Sequence, residues 1–428
     1  MRSRSGSETP ASEVFTATQQ SLMRIQSRLG RVGILALLGA APGLAGDYQT
    51  EDFALRFSAA ISRLSTYSDV AGQGGASAAS GRSTSINPAA LAWKPLRDGQ
   101  GQPLRFALSE QFTALSFQRG TDLWAATESL NFYPTADFAM KFSVTSLRGN
   151  EARIRGGYLF EFDGNSYRLD LSRRFDGPVR TSSIGLQFSY AQTETNVSLP
   201  AGNYPVPTSA GAVTLPFRQQ VLRDADREIF GVRLGWQTSL IGPDPTPAGV
   251  GDGKQTAPAG GNVRGPDRLL AGVVLDYFFQ PTKSGSYSPS PEGVPGRGAA
   301  EFERLGYHQA LARAGLAYRY LHEPWGTGGR SRTGYLRLDY QWAWQGSRAS
   351  ELQIHRIYAG GNYPLAPFLH LQGGATVDDR RHVAWSAGVS FLLPTFALEA
   401  TYQHDQLPEI GHEFGHADTV VISAGFAF

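Results

Sequence analysis

The chain has 428 residues, of which 11% are aromatic, with 50 Gly, 25 Pro and no Cys. No run of about 20 apolar residues exists, which excludes a helical membrane protein. The formal net charge of +2 gives no bias towards polyanions, and without Cys there is no lipobox and hence no lipoprotein anchor.

The first segment reads as an export signal with extra residues in front. Arg24, Arg28 and Arg31 form a basic region, Val32 to Ala41 an apolar one, and Gly43-Leu44-Ala45 places small residues where a signal peptidase cuts. Residues 1–22, Ser/Thr-rich and patternless, precede a second candidate start at Met23. The expected organisation is a non-native extension at 1–22, a signal peptide at 23–46, an N-terminal periplasmic segment at 47–103 and a β-domain from 104 to 428.

Residues 47–103 lack strand periodicity. They contain a flexible small-residue run, Gly72 to Gly81, and then Asn87-Pro88-Ala89-Ala90-Leu91-Ala92. Asn before Pro favours a turn, and Pro fixes the entry to a short helix. Small residues let a backbone pack inside a space already crowded by side chains.

From about residue 104 the chain is a succession of alternating strands separated by turn residues. In Tyr335 to Gln345, Leu336, Leu338, Tyr340, Trp342 and Trp344 share one face, and Arg337, Asp339, Gln341 and Ala343 the other. A soluble sandwich would turn the apolar face inward, whereas a transmembrane barrel turns it outward and hides the charges. Tyr and Trp cluster near strand ends, as interfacial girdles require. Fifteen segments are countable, but a single-chain bacterial barrel wants an even number. Placing the tight Tyr133-Pro134-Thr135 turn on the inner side requires 148–163 to be an outer hairpin. Fourteen strands then remain, with sixteen as the alternative, long outer connections at 193–227, 281–307 and 405–417, and an unusually long inner one at 241–267.

The final strand, Thr419 to Phe428, alternates to the last residue, with Val420, Ile422, Ala424, Phe426 and Phe428 on one face. Such a strand must pair with the first to leave no open edge in lipid. It resembles the C-terminal assembly signal of bacterial outer-membrane proteins, carried here by Phe426 and Phe428. The small-residue run ending in Asn87-Pro88-Ala89, placed between signal and barrel, resembles the N-terminal hatch of the FadL-type transporters of long-chain fatty acids. The resemblance implies a fourteen-stranded barrel with a hatch in its lumen. It also implies passive, ligand-gated uptake of hydrophobic or amphipathic small molecules across the outer membrane.

Nine charged residues fall on the expected lumenal face: Lys141, Arg168, Asp170, Arg233, Arg313, Arg319, Arg337, Asp339 and Glu399. Ion pairing that fills and stiffens the interior accounts for most of them. Arg319 and Arg337, in well-patterned strands, are the candidates for clamping a carboxylate-bearing solute. Phe217, Tyr287 and Phe302 are candidate outer capture residues. His412-Glu413-Phe414-Gly415-His416 matches the zincin H-E-x-x-H pattern, but that chemistry needs a helix and a third ligand further along. Here the motif sits in a Pro/Gly-flanked loop shortly before the last strand, so it reads as solvated loop, with adventitious metal binding alongside His404, Asp405 or Asp418 the lesser alternative. No enzyme, cofactor or metal site is expected. The expected partners are a hydrophobic ligand, outer-membrane lipid and the barrel assembly machinery, not nucleic acid, and the chain is expected to be a monomer. The rival readings are a permanently plugged, partner-binding barrel, like the FadL-like shuttles of type IX secretion, and a general diffusion porin.

Overall fold

A computed structural model describes residues 78–79, 86–93, 105–118, 121–149, 152–153, 159–177, 180–198, 202–208, 211–217, 220–242, 268–281, 283–287, 300–304, 306–322, 332–347, 351–366, 368–393, 396–405 and 416–427. The chain divides into Met1–Asp52 and Phe53–Phe428, and every described residue belongs to the second unit. The signal peptide, most of 47–103, the 242–268 connection beyond its ends, His412, Glu413 and Phe428 lie outside the described residues.

The described chain is a closed antiparallel barrel of fourteen strands. In chain order they are β1 (Phe106–Phe117), β2 (Thr121–Phe132), β3 (Phe138–Gly149), β4 (Leu159–Asp176), β5 (Thr181–Ser198), β6 (Gln220–Ile241) and β7 (Leu269–Gln280). Then come β8 (Tyr307–His322), β9 (Arg332–Ser347), β10 (Glu351–Ala366), β11 (Leu369–Asp378), β12 (Val383–Leu392), β13 (Phe396–His404) and β14 (Ala417–Ala427). Each strand pairs with its sequence neighbours, and β1 closes on β14 from Ala107 opposite Ala427 to Phe117 opposite Ala417. The last strand therefore has no open edge, as its alternation to the end of the chain requires.

The faces are inverted relative to a soluble protein. On β9, Leu336, Leu338 and Tyr340 are 56%, 54% and 49% exposed, while Arg337, Asp339 and Gln341 are 4%, 1% and 2% exposed. On β14, Val420, Ile422 and Phe426 face out, and Thr419 and Val421 are buried. An apolar exterior around a polar interior is the pattern of a membrane-spanning barrel.

The two rims differ in chemistry. At the end carrying the long connections, taken as the outer end, aromatics are hydrogen-bonded. Tyr277 Oη lies 2.7 Å from His308 Nδ1, Tyr340 Oη 2.6 Å from His355 Nδ1, and Tyr190 donates to Glu228 at 3.0 Å. The inner rim is built from Phe pairs: Phe106 with Phe132, Phe368 with Phe391, and Phe396 with Phe426, at ring separations of 5.1, 5.1 and 5.0 Å. These are the two belts expected where a barrel meets the membrane–water boundaries.

Two stretches expected as loops carry structure. Within 193–227, β5 and β6 run on past the barrel, and Gly202–Thr208 pairs with Gly211–Phe217. Within 281–307, Lys283–Tyr287 pairs with Ala300–Arg304. Ala152–Arg153 pairs with β4, so 148–163 does form an outer hairpin.

Candidate functional site: a turn seated in the lumen

Residues Pro88–Ala92 form one 3-10 turn, capped by Asn87, inside the inner half of the barrel. The local reasons lie in the sequence. Asn87 is extended, with φ −104° and ψ 106°, as a residue before Pro must be, and its Oδ1 accepts the Ala89 N–H at 3.0 Å. Pro88 takes the first helical position, where its missing N–H costs nothing. Asn87 and Ala89 are both 0% exposed. A polar side chain so enclosed is tolerable only with its hydrogen bonds made. The Asn87 amide donates to the carbonyl of Ala78 and, at 3.2 Å, to that of Trp236.

The wall supplies a matching seat. Ser183 Oγ donates to the Ala89 carbonyl at 2.8 Å, and Ser172 Oγ to the same oxygen at 3.2 Å while accepting the Ala92 N–H at 3.2 Å. Arg174 donates to the Trp93 carbonyl and Arg233 to that of Ile86, each at 3.3 Å. The Ala78 N–H donates to Asp339 Oδ2 at 2.7 Å. Leu91 and Ala92 pack on Tyr133 and Ala139, and Trp93 with Ala79 on Leu270 and Ala317.

Glycine makes the close approach feasible. A Cβ on Gly185 would overlap the Pro88–Ala89 backbone, one on Gly235 the Asn87 side chain, and one on Gly272 the Ala78 carbonyl. Gly185 and Gly235 are cross-strand partners, and so are Gly272 and Gly315, so β5 to β8 present a flat lumenal strip.

All nine expected lumenal charges lie on the inner face, paired or packed. Arg233 Nε and Nη2 both reach Asp276 Oδ2, at 2.9 and 2.6 Å. Gln187 donates to Asp170. The Arg313 guanidinium donates to Gln341, stacks 3.9 Å over the Tyr358 ring and lies 3.8 Å from Asp339. Arg319 and Arg337 are each 4% exposed, on adjacent strands. Arg319 is opposite Tyr335 and Arg337 opposite Ala317, so the two are diagonal neighbours, with Arg337 5.7 Å from the Tyr335 ring. Phe217, Tyr287 and Phe302 are on the two outer ribbons, so the barrel does not bring them to this site.

Sequence reasoning found the turn and missed its seat. Ser172, Ser183, Gly185, Gly235 and Gly272 carried one signal, small residues at lumenal positions of neighbouring strands. Only the register shows that they converge. His416 precedes β14, and among the described residues no group of three or more His, Cys, Asp or Glu side chains is arranged to hold a metal ion.

These features define a class: a closed, membrane-type β-barrel with a short segment bound inside its lumen. The barrel fold has solved counterparts. It is similar to the toluene transporter TbuX of Ralstonia pickettii, with a TM-score of 0.50 and 12% identity over 86% of this chain and 99% of that one. A mutant of the monoaromatic hydrocarbon channel TodX matches at a TM-score of 0.50 and 12% identity, over 86% of this chain and 100% of that one. A FadL homologue of Pseudomonas aeruginosa matches at 0.47 and 13% over 85% of this chain and 98% of that one, which is too loose to carry an argument. At these identities the likeness establishes the fold alone. No family model and no curated sequence matches the chain.

Proposed function

We propose that the protein is a bacterial outer-membrane channel for passive, ligand-gated uptake of hydrophobic or amphipathic small molecules, with Asn87-Pro88-Ala89 as its hatch. The observation that carries this reading is the hatch itself: a capped turn held on a glycine-serine seat by single hydrogen bonds rather than built into the wall. Each such bond contributes only about 0.5–1.5 kcal/mol net. A solute that binds the undocked state better than the docked one therefore shifts the balance without disturbing the barrel. The fold's likeness to a toluene transporter and a monoaromatic hydrocarbon channel supports neutral aromatic hydrocarbons as one substrate class, with long-chain fatty acids as another. For the acids, Arg319 and Arg337 are the carboxylate-binding pair.

Radiolabelled toluene and oleate uptake, in a strain lacking the protein and in the same strain complemented with it, tests the reading. Complementation is expected to raise uptake of at least one of the two; no change for either would defeat the proposal. Arg319→Ala with Arg337→Ala is expected to weaken saturable oleate uptake about tenfold and leave toluene unchanged, one lost charge-assisted hydrogen bond being worth about 1.5–3 kcal/mol.

The second reading, a permanently plugged barrel that holds a protein at its outer end, is favoured by the outward extension of β5 and β6 and by the two ribbons. A protein retained by the wild-type barrel and lost on deleting 281–307, with uptake unchanged, would select it.

A further inference from the structure

At the outer ends of β13 and β14, beyond the lumen and unused by the proposed channel, three histidines and two aspartates meet. Asp418 Oδ1 lies 2.7 Å from His404 Nδ1. Asp405 Oδ2 lies 2.8 Å from His416 Nδ1 and 2.6 Å from His382 Nε2. Asp405 holds a left-handed backbone, with φ 56°, that turns its carboxylate under the rim.

A carboxylate can only accept. Its partner nitrogen must carry the proton, so in the neutral imidazoles of His404 and His416 the proton sits on Nδ1 and Nε2 is the lone pair. Carboxylate-pinned imidazoles of this kind are how proteins present histidine to a metal ion. The two rings face outward side by side, their centroids 5.7 Å apart and their planes 28° apart. Two imidazoles sharing one tetrahedral ion at metal–nitrogen bonds of about 2.0–2.1 Å have centres roughly 5 Å apart, close to the separation here, and one of the two rings is the more exposed. That ring is His416, whose side chain is 60% exposed against 35% for His404.

We propose that His404 and His416 form a two-imidazole site for a borderline divalent cation, Cu2+, Ni2+ or Zn2+, with Nε2 of each as ligand and water completing the shell. Imidazole suits these ions. With only two protein ligands, the site is compatible with the absence of any larger ligand group among the described residues. The ion joins the outer end of β13 to the residue preceding β14, and so clamps the base of the connection between them.

The test uses the untagged full chain in detergent, with Cu2+ alone as the probe. The wild type is expected to bind one ion, with an electron paramagnetic resonance signature of two imidazole nitrogens. His404→Ala and His416→Ala should each remove one nitrogen and weaken binding by about tenfold or more, and Asp418→Ala by about tenfold through loss of orientation. His355→Ala, at the same rim but paired with Tyr340, should bind as the wild type does. Wild-type affinity in both His404→Ala and His416→Ala, or a wild-type signature with fewer than two nitrogens, would overturn the site. Should either variant fail to close as a barrel, diethyl pyrocarbonate labelling of the wild type decides. Zn2+ must shield His404 and His416 but not His355, and equal labelling with and without Zn2+ overturns the proposal.

Discussion

The barrel has a tall side and a short side. Strands β4, β5 and β6 are 18, 18 and 22 residues long, whereas β11 to β14 are 10, 10, 9 and 11. Spanning a bilayer takes about 9–11 residues in a tilted strand. The short side is thus sized for the membrane, and the tall side has roughly eight to twelve further residues per strand, set at the outer end, that lipid does not demand. At their inner ends the same tall strands carry most of the seat, with Ser172 and Arg174 on β4, Ser183 and Gly185 on β5, and Arg233 and Gly235 on β6. The short side contributes none of the described contacts to the turn. Where β10 meets the short side, small residues pair with one another instead, Gly360 with Gly374 and Gly361 with Gly373, in the lining of a cavity of about 720 Å³ that also includes Leu336, Arg337, Tyr363 and Gln372. Glycine therefore means different things on the two sides. On β5 to β7 it admits another piece of backbone, and at Gly373 on β11 it leaves open surface.

Substitution separates the two meanings. The largest effect is expected from Gly185→Leu, whose side chain takes the volume of the Pro88–Ala89 backbone. The barrel should still close, as read by heat-modifiable gel migration, but the turn should be displaced in nearly every molecule. Single-channel conductance in planar bilayers should rise from closed to continuously open. A closed channel in that variant would show that something other than this turn blocks the lumen.

A smaller effect is expected of Asn87→Ala. It removes the cap, worth about 1 kcal/mol, and strips the Ala78 and Trp236 carbonyls of a donor at about 1–3 kcal/mol more. The open fraction should rise by roughly ten- to a thousandfold on that basis, seen as intermittent openings rather than a permanent pore. Asn87→Asp keeps the cap but sets a buried carboxylate oxygen against both carbonyls, so its openings should be at least as frequent as those of Asn87→Ala.

The smallest effect is expected on the short side. A Cβ on Gly373 meets only the Ser386 carbonyl, at an ordinary 3.9 Å. Gly373→Ala should leave closure, conductance and thermal stability within about 0.5 kcal/mol of the wild type. A leak in this variant equal to that of Gly185→Leu would remove the distinction between the two sides.

The membrane-spanning part of the fold was legible because alternation is forced wherever one face meets lipid and the other does not. All fourteen strands register as period-two stretches, and the parity of a closed ring decided the status of 148–163. Legibility ended where lipid ends. Beyond Thr193 on β5 and before Arg227 on β6 both faces are polar enough that Thr195 opposite Asp224 and Asn196 opposite Arg223 give no alternating signal. The seat was hidden for a different reason. Ser172, Ser183, Gly235, Gly272 and Asp339 are spread over about half the barrel sequence, and each alone is an unremarkable lumenal residue. Asn87 was visible because its partners for capping, Pro88 and Ala89, are adjacent in the chain. The histidine pair was legible in part, since the H-E-x-x-H spacing pointed from His416 to His412 while His404 stood only as a lesser candidate beside it. The neighbour that matters to His416 is His404, one strand away.

The glycine strip has a consequence for how the molecule comes together. The surface that receives Ala78 and Asn87 through Trp93 is shared among seven consecutive strands, β3 to β9, and does not exist until they are in register. A slip of one residue between any two of them would turn a glycine outward and a leucine or phenylalanine inward. Although its residues precede every described strand in the chain, the turn has its full set of partners only once those strands are in register.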